Sequence, residues 1–152
     1  LYGLRLSGLR FFTVYGPWGR PDMAPYIFCK AIFAGDTIPI FNLGFARRDF
    51  SYVDDIVRGV LACYDRPAPA PGHRLYNLGA TRSEELMRFV HVLERAVGRK
   101  ARIDLKPAQP GDVKETHADI GLTTRELGWS PTTSIEEGLP RFVDWFRKYH
   151  GL

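Results

Sequence analysis

A chain of 152 residues is long enough to bury one sizeable core without disulfide or metal staples. Its 45% apolar and 25% charged residues exclude a disordered chain, and no apolar run approaches the roughly 20 residues a membrane-spanning helix needs. The net charge of +4 comes from scattered Lys and Arg, which points away from nucleic acid and is equally expected of a site for a doubly charged pyrophosphate.

The opening residues Leu1-Tyr2-Gly3 lack an initiator Met and a secretion signal, and they read as the interior of something longer. Gly8 to Tyr15 is almost continuously apolar, which predicts a strand covered on both faces, as in a parallel sheet. It ends in the Gly/Pro-dense loop Gly16-Pro17-Trp18-Gly19-Arg20-Pro21-Asp22. Pro25 to Ala34 has helical spacing of Ile27, Phe28, Ala31 and Ile32, and Gly35 supplies the stop. Thr37 to Phe41 and Arg48 to Val53 are short strands around a turn at Asn42-Leu43-Gly44.

Asp54 or Asp55 can cap the next helix, whose apolar stripe is Ile56, Val57, Val60, Leu61 and Tyr64. Residues 66–72 form a stiff, proline-rich linker, after which apolar patterning resumes at Leu75-Tyr76-Asn77-Leu78-Gly79. Thr81 or Ser83, with Glu84 three residues after Thr81, predicts a capped helix with the stripe Leu86, Phe89, Val90, Leu93 and Val97. Ala101 to Leu105 is a weak strand, 106–112 a loop, and 123–127 a short helix. The last helix starts near Thr133 or Ser134, where Glu136 and Glu137 suit capping boxes, and buries Ile135, Leu139, Phe142, Val143 and Phe146. Pro140 inside it should cost a backbone hydrogen bond or a kink.

Cys29 and Cys63 stand alone in apolar surroundings, and His73, His91, His117 and His150 lack metal-ligand spacing. Buried thiols in a reducing, cytoplasmic compartment and no metal site are expected. No G-x-G-x-x-G occurs, so the chain carries no dinucleotide fingerprint of its own.

Three constellations could carry chemistry. Thr13 and Arg20 lie at the C-terminal edge of a strand and in the loop beyond it, where open parallel sheets bind ligands; Arg suits a carboxylate, although a surface Arg at a strand end has the same pattern. Arg47-Arg48 among aromatic residues could hold a phosphate beside a flat ring, or form a solvated turn. Gln109-Pro110-Gly111-Asp112 offers an amide and a carboxylate to sugar hydroxyls, and suits a surface turn equally.

Together, Leu9 through Ala24, Arg47 to Ile56, Tyr76-Asn77-Leu78-Gly79 and Gln109-Pro110-Gly111-Asp112-Val113 resemble the extended short-chain dehydrogenase/reductase enzymes. The run Thr13-Val14-Tyr15-Gly16-Pro17-Trp18-Gly19-Arg20-Pro21-Asp22-Met23 is most similar to the UDP-glucuronate 4-epimerases, while Arg48-Asp49-Phe50-Ser51-Tyr52-Val53-Asp54-Asp55 marks only the wider family. The resemblance implies an α/β fold: a small substrate-binding domain over 1–152, with 8–16 and 74–79 as the last strands of a Rossmann sheet whose remainder precedes Leu1.

It also implies NAD, held mainly by that preceding domain, and interconversion of UDP-glucuronate and UDP-galacturonate through a 4-keto sugar. No catalytic residue is expected in this chain. Thr13 and Arg20 would face the glucuronate, and Phe11 and Val14 the nicotinamide. Asp22 and Met23 would meet the nucleotide, Pro39 and Phe41 would border the uracil, and Arg48 would hold the pyrophosphate. Gln109 and Asp112 would close over the uridine; many relatives have Arg where Gln109 stands. The implied parent is a cytoplasmic homodimer, and the fragment alone is inactive. Competing readings are a UDP-glucuronate decarboxylase, a nucleotide-sugar 4,6-dehydratase, and a binding module without chemistry.

Overall fold

The computed structural model describes residues 4–66 and 72–152. In chain order the strands are β1 (Leu6–Phe11), β2 (Thr13–Tyr15), β3 (Thr37–Ile40), β4 (Arg47–Tyr52), β5 (His73–Leu78), β6 (Ser83–Glu85) and β7 (Arg102–Leu105). The α-helices are α1 (Ala24–Ala34), α2 (Val53–Asp65), α3 (Leu86–Val97), α4 (Gly121–Leu127) and α5 (Ile135–His150). The proline-rich linker lies mostly outside the described residues. Among them, no helix is long and apolar enough to cross a membrane.

The continuous strand expected over 8–16 is two strands in two sheets. β1 pairs in parallel with β5, whereas β2 pairs in parallel with β4, whose other edge takes β6 antiparallel. Phe12 is the crossing point: its N–H donates to the Leu78 carbonyl at 3.3 Å, and its carbonyl accepts from Val14 at 2.9 Å. An apolar run has the same pattern whether it stays in one sheet or passes between two, so periodicity cannot show such a switch. A third pair, β3 and β7, is also parallel.

Among the described residues, two hydrophobic cores result. The larger is built by α1, α3 and α5 against β2, β3 and β4, with Phe89, Phe142 and Phe146 among its fully buried side chains. The smaller joins Ile56 and Cys63 of α2, Tyr76 and Leu78 of β5, and Leu127 and Trp129. Both cysteines are buried and free, and burial pushes the Cys29 thiol up to about 12.

Glycines Gly35 and Gly98, at φ 76° and 78°, close α1 and α3 in the left-handed conformation that the sequence anticipates. The last helix starts at Ser134 as expected, but the expected capping bonds are not made. None of the predicted capping side chains caps: the N-caps of α2, α3 and α5 are Tyr52, Glu85 and Ser134, without side-chain cap bonds. Residues 83–85 pair with β4 instead, and Glu84 reaches forward to Arg88. Asp55 is drawn into the interior, as described below.

Pro140 sits within an uninterrupted α5. It lies on the exposed side, as does Glu136 four residues earlier, so the carbonyl deprived of its partner can turn to water.

Candidate functional site

A cleft of about 350 Å³ opens between the start of α1, the end of β3, and β4. It gathers seven of the sequence-predicted site residues from five places in the chain: Thr13, Asp22, Met23, Pro39, Phe41, Arg48 and Asp112. Thr13 is the first residue of β2 and Met23 the N-cap of α1. Pro39 lies in β3, with Phe41 just beyond it, and Arg48 lies in β4. Ile27, Phe28, Phe50 and Leu86 complete an apolar floor. None of these four carries the sign of a site residue in the sequence. Ile27 and Phe28 belong to a helical stripe that reads as core, and Leu86 reaches the cleft only through the folding of β6 onto β4.

The rim is a latched loop. Gly111 takes φ 83°, and the Asp112 N–H donates to the Gln109 carbonyl at 3.1 Å, which turns the Asp112 carboxylate toward β4. There it meets the Arg48 guanidinium at 2.8 Å, while Arg48 also donates to the Arg47 and Lys114 carbonyls at 2.9 and 3.2 Å. The Arg47 N–H donates to the Lys114 carbonyl at 2.9 Å, and the Thr116 N–H donates to the Arg47 carbonyl at 3.2 Å. Arg48 thus stands at the cleft with its position fixed and several donors committed.

Beneath the loop, Asp49 is fully buried. Its carboxylate accepts the backbone N–H groups of Ala80, Thr81 and Ala118 at 2.6, 3.1 and 3.0 Å and the Ser51 hydroxyl at 3.0 Å. A buried carboxylate satisfied by that many donors ties three segments together below the cleft. Its position in the Arg48–Asp55 run carries no sign of this role in sequence.

A second cavity, of about 380 Å³, shares Met23 with the first. Phe11, Val14, Trp18 and Arg20 line it. The Arg20 guanidinium is paired with Asp22, Nε to Oδ1 at 3.1 Å and a terminal nitrogen to Oδ2 at 2.5 Å. That hydrogen bond holds the Asp22 carboxyl below its ordinary range and raises Arg20 further. Asp22 occupies one edge of the guanidinium, and the fork geometry leaves the other edge to a second planar anion. Gln109 lines neither cavity.

Tyr15 borders the second cavity but is nearly completely buried, and its hydroxyl donates to the Ser134 carbonyl at 3.5 Å. Burial pushes the phenol well above its usual range, the wrong direction for a general base at neutral pH. Among the described residues no cluster of three or more His, Cys, Asp or Glu side chains could hold a metal ion.

The model of the NAD dependent epimerase/dehydratase family matches residues 1–79, more than half of the sequence. The chain belongs to this family. UDP-glucuronate 4-epimerase 4 of Arabidopsis thaliana is 47% identical over 164 residues, covering 99% of this chain and 38% of the relative. Among solved structures, UDP-glucuronic acid 4-epimerase from Bacillus cereus, in complex with UDP-glucuronic acid and NAD, matches with a TM-score of 0.85 at 34% identity. That match covers 93% of this chain and 45% of the other. UDP-glucose 4-epimerase from Thermotoga maritima, with UDP-glucose, gives a TM-score of 0.89 at 32% identity, covering 98% and 48%. This epimerase-family chain therefore spans less than half the length of each of these relatives. Its α/β fold with parallel pairing is that of the C-terminal part of the extended short-chain dehydrogenase/reductase enzymes.

Proposed function

We propose that this chain is the substrate-recognition part of an NAD-dependent UDP-sugar 4-epimerase that interconverts UDP-glucuronate and UDP-galacturonate. The observation that carries the reading is the convergence of Thr13, Asp22, Met23, Pro39, Phe41, Arg48 and Asp112 on one cleft, with Arg20 in the cavity adjoining it. A cleft with an apolar floor and a fixed arginine at its rim suits a nucleotide base and its pyrophosphate. Pro39 and Phe41 take the uracil, Arg48 the pyrophosphate and Asp112 the ribose. Thr13 and the free edge of Arg20 hold the sugar carboxylate. Fixing that group matters, because a 4-keto uronate is a β-keto acid and loses CO2 unless its carboxylate is held out of line.

Phe11 and Val14 form an apolar wall of the second cavity, which fits the flat nicotinamide end of NAD. The phosphates have no Gly-rich cradle in this sequence, so NAD is bound mainly by the part of the parent outside this chain. When bound, NAD supplies the hydride acceptor at sugar C4. The base that takes the 4-hydroxyl proton belongs to that other part as well, and this chain alone is inactive. β1 and β5 extend the parallel sheet of that part, since parallel strands are ordinarily covered on both faces.

Product analysis after feeding UDP-glucuronate to the full-length protein tests the assignment. UDP-galacturonate is expected; UDP-xylose or a keto-pentose instead, each lacking the carboxyl carbon, would replace it with a decarboxylase. Tight, saturable binding of UDP by the 152-residue chain without NAD would favour a binding module. In the full-length protein, Arg20→Ala should weaken preference for the carboxylated sugar by ~1.5–3 kcal/mol, as expected for a charge-assisted contact. An equal loss for UDP-glucose would remove Arg20 from that role.

A further inference from the structure

Trp18 has φ 62°, a left-handed conformation that bulky side chains rarely adopt, and it is 76% exposed. Its ring is nevertheless held. The centroid lies 5.5 Å from that of Trp145 and 5.3 Å from that of Tyr149, and those two rings stack at 5.2 Å. Both come from the last two turns of α5, at the other end of the chain. Trp145 continues inward to Phe142 and Phe146 at 6.0 and 6.4 Å, so the aromatic group is continuous with the larger core.

The loop itself is a tight turn. The Gly19 N–H donates to the Gly16 carbonyl at 3.1 Å, and the Met23 N–H donates to the Arg20 carbonyl at 3.3 Å. Gly16, at φ 139°, packs directly on Val53, where a Cβ would collide with the valine side chain. Trp18 and Arg20 are therefore carried on one short rigid segment, and Asp22 fixes one edge of the Arg20 guanidinium. Wherever the Trp18 ring is anchored, the free edge of Arg20 is aimed.

We propose that Trp18, Trp145 and Tyr149 form an aromatic clasp that positions Arg20, so that the C-terminal helix sets the preference for a carboxylated sugar. The clasp also accounts for a strained exposed tryptophan, since a strained conformation persists where its surroundings over-determine it. The inference rests on the proposed reading of Arg20 as the carboxylate contact.

The test uses the full-length, NAD-loaded protein and calorimetric titration with UDP-glucuronate, UDP-glucose and UDP. Trp18→Asn keeps a residue that tolerates the left-handed backbone while deleting the ring, and Tyr149→Ala removes the opposite face of the clasp. Each should reduce the preference for UDP-glucuronate over UDP-glucose by about three- to tenfold, the scale of one lost aromatic pair. UDP affinity should stay the same, and Tyr149→Phe should retain the wild-type preference. If both ring deletions keep the preference while Arg20→Ala loses it, the clasp has no such role and the Arg20 assignment stands. If UDP affinity falls along with both sugars, the clasp merely stabilises the fold and the proposal fails. If the wild type shows no preference and Arg20→Ala changes nothing, the reading of Arg20 is wrong and the clasp proposal falls with it.

Discussion

The two cores of the molecule use the same residue types to different ends. In the larger, three helices close over the strands, and the apolar stripe of α3 is covered from Phe89 to Val97. In the smaller, α2 buries Ile56 but leaves Val57, Val60, Leu61 and Tyr64 exposed, the last at 82%. Beside it, Leu4, Leu6 and Phe11 are also exposed on or next to β1. The sequence stripe on α2 is as regular as that on α3, so the difference lies in what is available to cover it. The larger core is complete within the chain, whereas the smaller is a sheet edge and a helix with apolar surface to spare.

That contrast can be broken at the larger core first. Phe142→Ala, at a fully buried position stacked with Trp145 and edge-to-face with Phe146, should cost ~3–5 kcal/mol in urea unfolding of the chain. A cost of only about 1 kcal/mol would mean that the surrounding helices collapse onto the vacated space.

The second perturbation tests what joins the two cores. Asp55 belongs to α2, beside the smaller core, yet its carboxylate accepts from Thr132 and Thr133 in the segment leading into α5, which packs in the larger. The backbone N–H groups of Thr132 and Thr133 donate to it at 3.0 and 2.8 Å, their hydroxyls at 3.2 and 3.1 Å, and Arg58 pairs with it at 2.7 Å. Burial alone would push this carboxyl up, but the Thr133 and Thr132 N–H groups and Arg58 outweigh burial and hold it below its ordinary value. Asp55→Asn should therefore destabilise the chain by ~2–4 kcal/mol near neutral pH. A carboxyl whose folded-state pKa is depressed stabilises the fold above its unfolded value of about 3.9, and that contribution is lost as pH falls through the lower folded value. The gap between wild type and Asp55→Asn should accordingly be constant from about pH 6 upward and narrow below about pH 4. A gap that ignores acid would mean that the carboxylate charge is not what links the two parts.

Asp55 also illustrates what sequence could and could not show. The helices, their glycine stops and most buried positions follow from local periodicity, because α3 and α5 bury one face each. The cleft was legible only through resemblance: Thr13, Pro39, Arg48 and Asp112 are far apart in sequence, and no spacing rule joins them. Asp55 looked like a helix cap because a carboxylate at a helix start suits the dipole, but its partners lie 77 and 78 residues away. Asp49 was hidden for the same reason, since its backbone donors come from segments 31 to 69 residues distant. The strand switch at Phe12 was invisible because both halves of the run are apolar and pair in parallel.

The smallest effect sharpens the comparison most. Leu61→Ser removes an exposed apolar side chain from α2 and should change the stability of the 152-residue chain by less than about 0.5 kcal/mol. In the full-length protein, where the sheet of β1 and β5 is proposed to continue into the part outside this chain and so beneath α2, which packs on β1, the same substitution should cost ~2 kcal/mol, the value of a buried leucine exchanged for a hydroxyl. The pair of measurements needs no knowledge of the reaction. A cost that rises with chain length would show that the bare face of the smaller core is covered by residues outside this chain. An equal, small cost in both would leave that face at solvent, and β1 and β5 would then have to be stable as a two-stranded sheet with one side of their helix uncovered, an arrangement that parallel strands seldom sustain.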